Sequence, residues 1–498
     1  MKTKKSEKFF WADKIADQII KERGKKKEYA CAAGIGVSGI LHIGNFRDAI
    51  TVDLVVRALK DKGKKVRFIY SWDDFDRFRK VPANISKSYE KYIGIPVSEV
   101  PSPYGKEKYA EHFEKIFEKE LSAVGIKPEF ISQSHMNKKC KYASLIKTSI
   151  DKRKEIMKIL NKYRKEPLKE NWMPVTVYCE KCKKDFTKII DIKGYIISYE
   201  CSCGFVNKID YRKKGIVKLK WRIDWPARWY YEKINFEPGG TDLSAAGGSY
   251  VTGKEISKQI FDYNPPIYQV YEWVRIKGGK EFSGSAGNAL TIDSMLKVYE
   301  PEILRYLFVG TKPKTGFQIS FDNDVIKIYD EYDALEKNYY EKKISNRDKR
   351  VYELSQIKLI KKKPLKTSFR HLVTLVQVKK IKNLDKHDKI RAEKVKNWLE
   401  KYARDDMKFE IQNNININLT KKQKQALIAL KDSLAVKDFN EDELFNEFYN
   451  ICEAVGLEGR EFFETSYNII INKNKGPRLA SLILAVGKEK IIKLLEQI

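Results

Sequence analysis

Two groups of residues in this sequence have the types and spacing to do chemistry. The first is a glycine-rich turn, Gly34-Ile35-Gly36-Val37-Ser38-Gly39, that runs on through Ile40-Leu41-His42-Ile43-Gly44-Asn45. Glycines let backbone N–H groups approach a phosphate closely, and the start of a following helix adds its positive end. A histidine just before that helix can donate a hydrogen bond to a phosphate oxygen as charge develops. His42 is one of only five histidines in 498 residues, and its place inside the turn favours that role over core packing. Taken alone, a glycine-rich turn before a helix is often no more than a tight connection. The second group is Cys179-x-x-Cys182 with Cys201-x-Cys203, followed by Gly204. Four thiols so spaced suit tetrahedral zinc in a small ribbon or knuckle. Four thiolates complete a tetrahedral set and leave no open position, so the zinc they imply is structural. Cys31, Cys140 and Cys452 are isolated, and an odd total of seven argues against a disulfide framework.

The elements around the turn show how it is held. Glu28 to Ala33 is a short apolar run that enters the glycines. Ile50, Leu54, Val55, Ala58 and Leu59 then recur at helical spacing up to Gly63, and Val66 to Tyr70 is a second apolar run ending at Asp73 and Asp74. Strand, glycine loop, helix, strand is the βαβ unit of a doubly wound parallel, Rossmann-like sheet, whose ligands bind beyond the carboxyl ends of the strands. The glycine turn and the Asp73/Asp74 pair therefore fall on one edge. Further on, Ala110 to Val124 and Lys147 to Arg164 read as helices, and Tyr195 to Tyr199 in the cysteine-rich piece reads as β-prone. From about Tyr299 glycine becomes rare and Leu and Ile recur at helical spacing. That third reads as mostly α-helical, with loops at Lys361 to Pro364 and at Asn413 to Asn418.

Composition sets the frame. A hydrophobic content of 42% supports sizeable cores, and the length suggests two to four domains. The net charge of +31 fits a polyanionic partner, although a genome that favours lysine codons gives the same surplus. No apolar run approaches the roughly 18 residues of a membrane span. The apolar stretch after Lys2, Lys4 and Lys5 is only Phe9 to Ala12, too short for a signal-peptide core. A soluble, cytoplasmic protein is expected.

His42-Ile43-Gly44-Asn45 resembles the HIGH signature of class I aminoacyl-tRNA synthetases, in the form typical of the archaeal-type lysyl enzymes. The context is similar as well: Trp11-Ala12-Asp13, Glu22-Arg23-Gly24, the run Trp72 to Pro82, the run Trp221 to Trp229, and Phe236-Glu237-Pro238-Gly239-Gly240, in the right order over roughly the first 310 residues. The resemblance implies ATP-dependent attachment of L-lysine to tRNA(Lys), with Mg2+, through a lysyl-adenylate. It implies that His42 and Asn45 contact the ATP phosphates, and that Gly39 and Gly44 let ribose and adenine lie close. A lysine ammonium needs an anionic or cation–π partner; Gly34, Gly36, one of Asp73 and Asp74, Trp225, Asp242, Tyr268 and Tyr271 are the candidates, the aromatics being equally at home in a core. It also implies a catalytic domain over 1–310, with an insertion at about 100–220 whose zinc ribbon at 178–207 sits near the tRNA acceptor stem. A stem-contact-like connector at 311–345 and a helical anticodon-binding-like domain at 346–498 would follow. Oligomeric state is not written in these residues.

The second class I signature, a KMSKS-type loop, matches Lys280 to Asn288 with changes. Ser283, Ser285 and Asn288 keep its frame, but Glu281 and Ala286 stand where its lysines would be, leaving Lys280 or Lys277 to supply positive charge. Gly36, Val37 and Leu243 replace the family's usual Thr, Pro and His. These departures also fit a tRNA-binding paralog without catalysis, or a class I synthetase with another amino-acid specificity.

Overall fold

The computed structural model describes residues 10–278 and 290–498. Helix α1 (Trp11–Arg23) leads into strand β1 (Tyr29–Ile35), helix α2 (Ile43–Asp61), strand β2 (Val66–Trp72), helix α3 (Tyr109–Ala123) and strand β3 (Glu129–Ser132). The apolar run before the glycines is thus a strand, and its alanines let α2 pack close to it. β1 and β2 pair in parallel along their whole length, Tyr29 opposite Val66 through Ile35 opposite Trp72. Most of α2 is buried, so this helix is packed nearly all round.

Residues 133–219 then leave the sheet. They contain short helices and strands β4 (Val175–Val177), β5 (Thr187–Lys193), β6 (Ile196–Cys201), β7 (Val206–Asp210) and β8 (Val217–Leu219). β5, β6 and β7 form an antiparallel sheet that carries the cysteine cluster, and β4 pairs with β8. The helix expected over Lys147 to Arg164 is in fact two, Ala143–Asp151 and Arg153–Asn161. Lys152 leaves helical geometry between them (ψ 26°), its N–H closing the first helix on Thr148 and its carbonyl opening the second.

Helix Trp221–Glu232 brings the chain back to strands β9 (Ile234–Gly240) and β10 (Ile267–Tyr271). The sheet order is β10-β9-β1-β2-β3, every pair parallel. The chain builds outward from β1 to one side and later from β9 to the other. The crevice between β1 and β9 is therefore the topological switch point where ligands of such sheets bind. Strands β11 (Val274–Ile276) and β12 (Phe317–Ile319) make a small parallel ribbon.

The chain divides into two compact units, one of 1–295, 304–319 and 345–359, the other of 296–303, 320–344 and 360–498. The second is helical, with an apolar core that includes Leu427, Leu430, Phe448, Phe462 and Leu482. Its buried Arg391 is held by Glu300 (2.6 Å) and Asp333 (2.7 Å). Both stretches expected as loops, 361–364 and 413–418, lie outside helices.

Candidate active site

Two adjoining cavities lie at the carboxyl edge of the sheet. The larger, about 420 Å³, is lined by Gly34, Gly36, His42, Gly44, Asn45, Asp73, Asp242 and Tyr271 among others. Its size is that of a small-molecule site. The smaller, about 90 Å³, lies deeper and shares Gly34, Asp73, Trp221, Leu243 and Tyr271 with it.

At the larger cavity, sequence chemistry and helix chemistry coincide. His42 is the N-cap of α2: its Nδ1 accepts from the Gly44 N–H (3.1 Å), and the Asn45 side-chain oxygen accepts from the His42 N–H (2.9 Å). This reciprocal box fixes the ring. Because Nδ1 accepts, the proton of the neutral ring is on Nε2, and burial holds the imidazole pKa below its ordinary value, favouring that neutral form. Gly44 has no alternative, since a Cβ there would lie 2.9 Å from the His42 ring. A Cβ on Gly36, by contrast, meets nothing within 4 Å.

The smaller cavity holds residues that sequence reasoning missed. Asp48, on the second turn of α2, is 8% exposed and accepts from the Gly34 N–H (3.3 Å), with Tyr271 beside it in the cavity lining. Glu237, on β9, is equally buried; its two oxygens accept from the indoles of Trp225 (3.0 Å) and Trp229 (2.6 Å). Among the described residues no cation lies within ion-pairing distance of either. Burial, aided by the charge of Glu237, pushes Asp48 up to about 8. Burial pushes Glu237 up to about 7, against the two indole hydrogen bonds and the more distant charge of Arg228. Trp221, Trp225 and Trp229 recur every fourth residue, which places three indoles on one helix face; Trp221 and Trp225 stack at 5.3 Å. That stripe is the sequence signal that could have led to Glu237.

Of the other expected residues, Asp73 lines both cavities but is paired with Arg228 (2.6 Å). Asp74 is turned towards Ser132 (2.8 Å) and Ser134 (2.5 and 2.7 Å), and lines neither cavity. Trp225 lines only the smaller one. Tyr268 stacks on Tyr250 at 3.6 Å behind Gly239, and Gly39 is likewise outside both linings. Lys280, Glu281, Ser283, Ser285, Ala286 and Asn288 lie outside the described residues. The next described residue, Leu290, accepts the Ile43 N–H at the start of α2 (2.8 Å).

The four cysteine sulfurs all lie within 4.8 Å of one another, with Cys179 3.8 Å from Cys203 and Cys182 3.6 Å from Cys201. Tetrahedral zinc with bonds of about 2.3 Å separates its sulfurs by about 3.8 Å. The cluster therefore fits a metal ion.

Against known proteins, the model for "tRNA synthetases class I (K)" matches residues 9–358. The chain belongs to that family. A lysine–tRNA ligase of Borrelia garinii is 43% identical to it, covering 98% of this chain and 99% of that protein. One of Thermococcus kodakarensis is 39% identical, covering 97% and 98%. A solved glutamate tRNA ligase of Elizabethkingia meningosepticum overlays with a TM-score of 0.47 at 11% identity, covering 94% of this chain and 98% of that one. The class I assignment and the parallel sheet with a helical C-terminal region agree. Among the described residues no helix is long and apolar enough to cross a membrane.

The raised carboxyls carry a pH signature. Folded pKa values above the unfolded ones mean that the folded chain binds more protons, so stability falls as pH rises from about 4 through 8. In urea unfolding of the ligand-free protein, Asp48→Asn should flatten that slope; an unchanged slope would show that Asp48 does not titrate there.

Proposed function

We propose that this chain activates L-lysine with Mg-ATP and transfers it to tRNA(Lys). The observation that carries this reading is the pair of buried, cation-free carboxylates, Asp48 and Glu237, in an aromatic-walled cavity that adjoins the phosphate turn. Carboxylates so buried favour a cationic ligand, whose charge replaces the protons they otherwise hold. Indole faces and the Tyr271 ring add cation–π attraction. The smaller cavity suits an unbranched cationic side chain, with the α-amino and carboxyl groups left towards the larger one.

In the first step the lysine carboxylate attacks the α-phosphorus of Mg-ATP, forming lysyl-adenylate and expelling pyrophosphate. In the second, a hydroxyl of the terminal ribose of tRNA attacks the activated carbonyl carbon and AMP leaves. The protein's work is to align these groups and to stabilise phosphate charge. His42 Nε2–H is the donor for a phosphate oxygen, held in its tautomer by the Gly44 N–H. Asn45 uses its side-chain oxygen to hold the His42 backbone, and so acts on the phosphates through the ring it positions. Leu243, at the junction of the two cavities, closes the side-chain cavity with an apolar group. Arg228 neutralises Asp73, so the ammonium is read by Asp48 and Glu237.

The reading extends to the rest of the chain. The four cysteines hold a structural zinc that stiffens the β5–β7 sheet beside the acceptor stem, and the helical region from about 346 meets the anticodon. The surplus of 98 Lys and Arg over 67 Asp and Glu supports a nucleic-acid partner.

With purified protein, tRNA, Mg-ATP and each amino acid separately, lysine alone should be charged. Asp48→Asn should raise the KM for lysine by on the order of 100-fold, and His42→Ala should cut kcat by about 10²–10³-fold. Charging of a different amino acid, or of none while tRNA still binds, would overturn the proposal. Metal analysis should find one zinc per chain, lost in Cys182→Ser together with thermal stability; a metal-free parent protein of full stability would remove the zinc.

A further inference from the structure

The first turn of α2 is more self-contained than an anion cradle requires. The Gly44 N–H is taken by the His42 ring, those of Asn45 and Phe46 by the His42 carbonyl (2.8 and 3.2 Å), and that of Ile43 by the Leu290 carbonyl (2.8 Å). This helix end gives an anion its dipole but not those four donors. Positive charge around the larger cavity must come mainly from side chains, and among the described residues three basic ones line it: His42, Arg47 and Arg79.

These three are not equivalent. Burial favours neutral His42. Arg79 has a largely exposed side chain and lies 3.8 Å from Asp76, so solvent and that carboxylate screen it. Arg47 is 3% exposed. Its NH2 donates to the carbonyls of Lys312 (3.2 Å), Pro313 (2.8 Å) and Thr315 (3.0 Å), and its guanidinium sits 5.1 Å from the centre of the Phe317 ring. Among the described residues no carboxylate is within ion-pairing distance of it, and its NH1 has no acceptor. Burial lowers its pKa only to about 10, so the group is a cation at neutral pH. A buried guanidinium with an idle edge and no counter-ion is costly, and an apolar residue there would be cheaper to bury. Of the nearby acids, Asp73 is paired with Arg228 and Asp76 with Lys218, while the Glu272 carboxylate attracts the guanidinium only from beyond ion-pairing distance.

We propose that Arg47 is a phosphate-binding residue, whose guanidinium borders the larger cavity and supplies positive charge there for the terminal phosphates of Mg-ATP and the pyrophosphate formed from them. This rests on the reaction proposed above and assigns it the fixed cation that the capped helix end does not provide. The three carbonyl contacts hold the guanidinium in place, so no side-chain ordering is needed when the anion arrives.

The test is binding of Mg-ATP and, separately, of pyrophosphate to the full chain by calorimetry, for the parent, Arg47→Gln and Arg47→Lys, with thermal unfolding alongside. Arg47→Gln should weaken both ligands roughly ten- to a hundredfold, the loss expected for a charged hydrogen bond, while lysine binding is unchanged. Arg47→Lys keeps the charge but cannot span three carbonyls; it should lower Tm yet retain both ligands within a few-fold. A folded Arg47→Gln protein that binds both ligands like the parent overturns the proposal. So does an Arg47→Lys protein that loses as much as Arg47→Gln, since the residue would then be only a clamp on the turn at 312–315. Phosphate binding that follows the expected pattern in a protein that charges no lysine would support Arg47 and count only against the reaction.

Discussion

Taking a carboxylate out of water costs several kcal/mol unless a cation or a full set of hydrogen bonds replaces the solvent. The crevice beside β1 does this twice within one small cavity. Asp48 receives the Gly34 N–H and Glu237 two indole N–H groups, all neutral donors, and among the described residues no cation pairs with either carboxylate. Neutral donors limit the cost without cancelling it, which is why both groups are held near neutrality in their protonation. The site is thus least favourable when empty and ionised, and a ligand that brings its own positive charge relieves it. Its aromatic walls, its depth and its specificity for a cation all follow from that imbalance.

The scaffold makes the imbalance tolerable by confining it. A five-stranded parallel sheet exposes its carboxyl edge as a crevice where the chain changes direction between β1 and β9. Several other charges that converge there are neutralised: Arg228 lies between Asp73 (2.6 Å) and Asp224 (3.6 Å), and Lys218 pairs with Asp76 (2.5 Å). Asp48 and Glu237 on the inner side, and Arg47 on the outer side, form no ion pair with another described residue. These three put negative charge where an ammonium would sit and a buried cation beside the place where phosphate would sit. Binding at either place then supplies interactions that the empty protein lacks, and the separation orients lysine and nucleotide relative to each other.

Local patterns made part of this legible from the residues alone. The glycine turn, the βαβ unit and the cysteine quartet are encoded by neighbours in sequence, and helix or strand period carries them directly. Asp74 illustrates the limit: its place after β2 is visible in sequence, but its turn towards Ser132 and Ser134 depends on where β3 pairs. Arg228 lies 155 residues from the Asp73 it neutralises, a distance at which no periodicity speaks. Arg47 and Asp48 sit in the open as charged residues in an apolar helix, yet an amphipathic reading assigns such residues to a solvated face. Helix α2 has almost no solvated face, and that becomes visible only once α1, β1, β2 and β9 surround it.

Cation recognition through carboxylates that are partly protonated when empty has a direct thermodynamic consequence. Binding of lysine must expel protons, because the ammonium lowers the pKa of both acids. The measurement is the heat of lysine binding near pH 7, with tRNA present, in two buffers of different ionisation enthalpy. Release of roughly one to one and a half protons per lysine bound is expected, reduced in Asp48→Asn. Lysine binding that proceeds with the same heat in both buffers would contradict it, and would mean that the ammonium is read elsewhere.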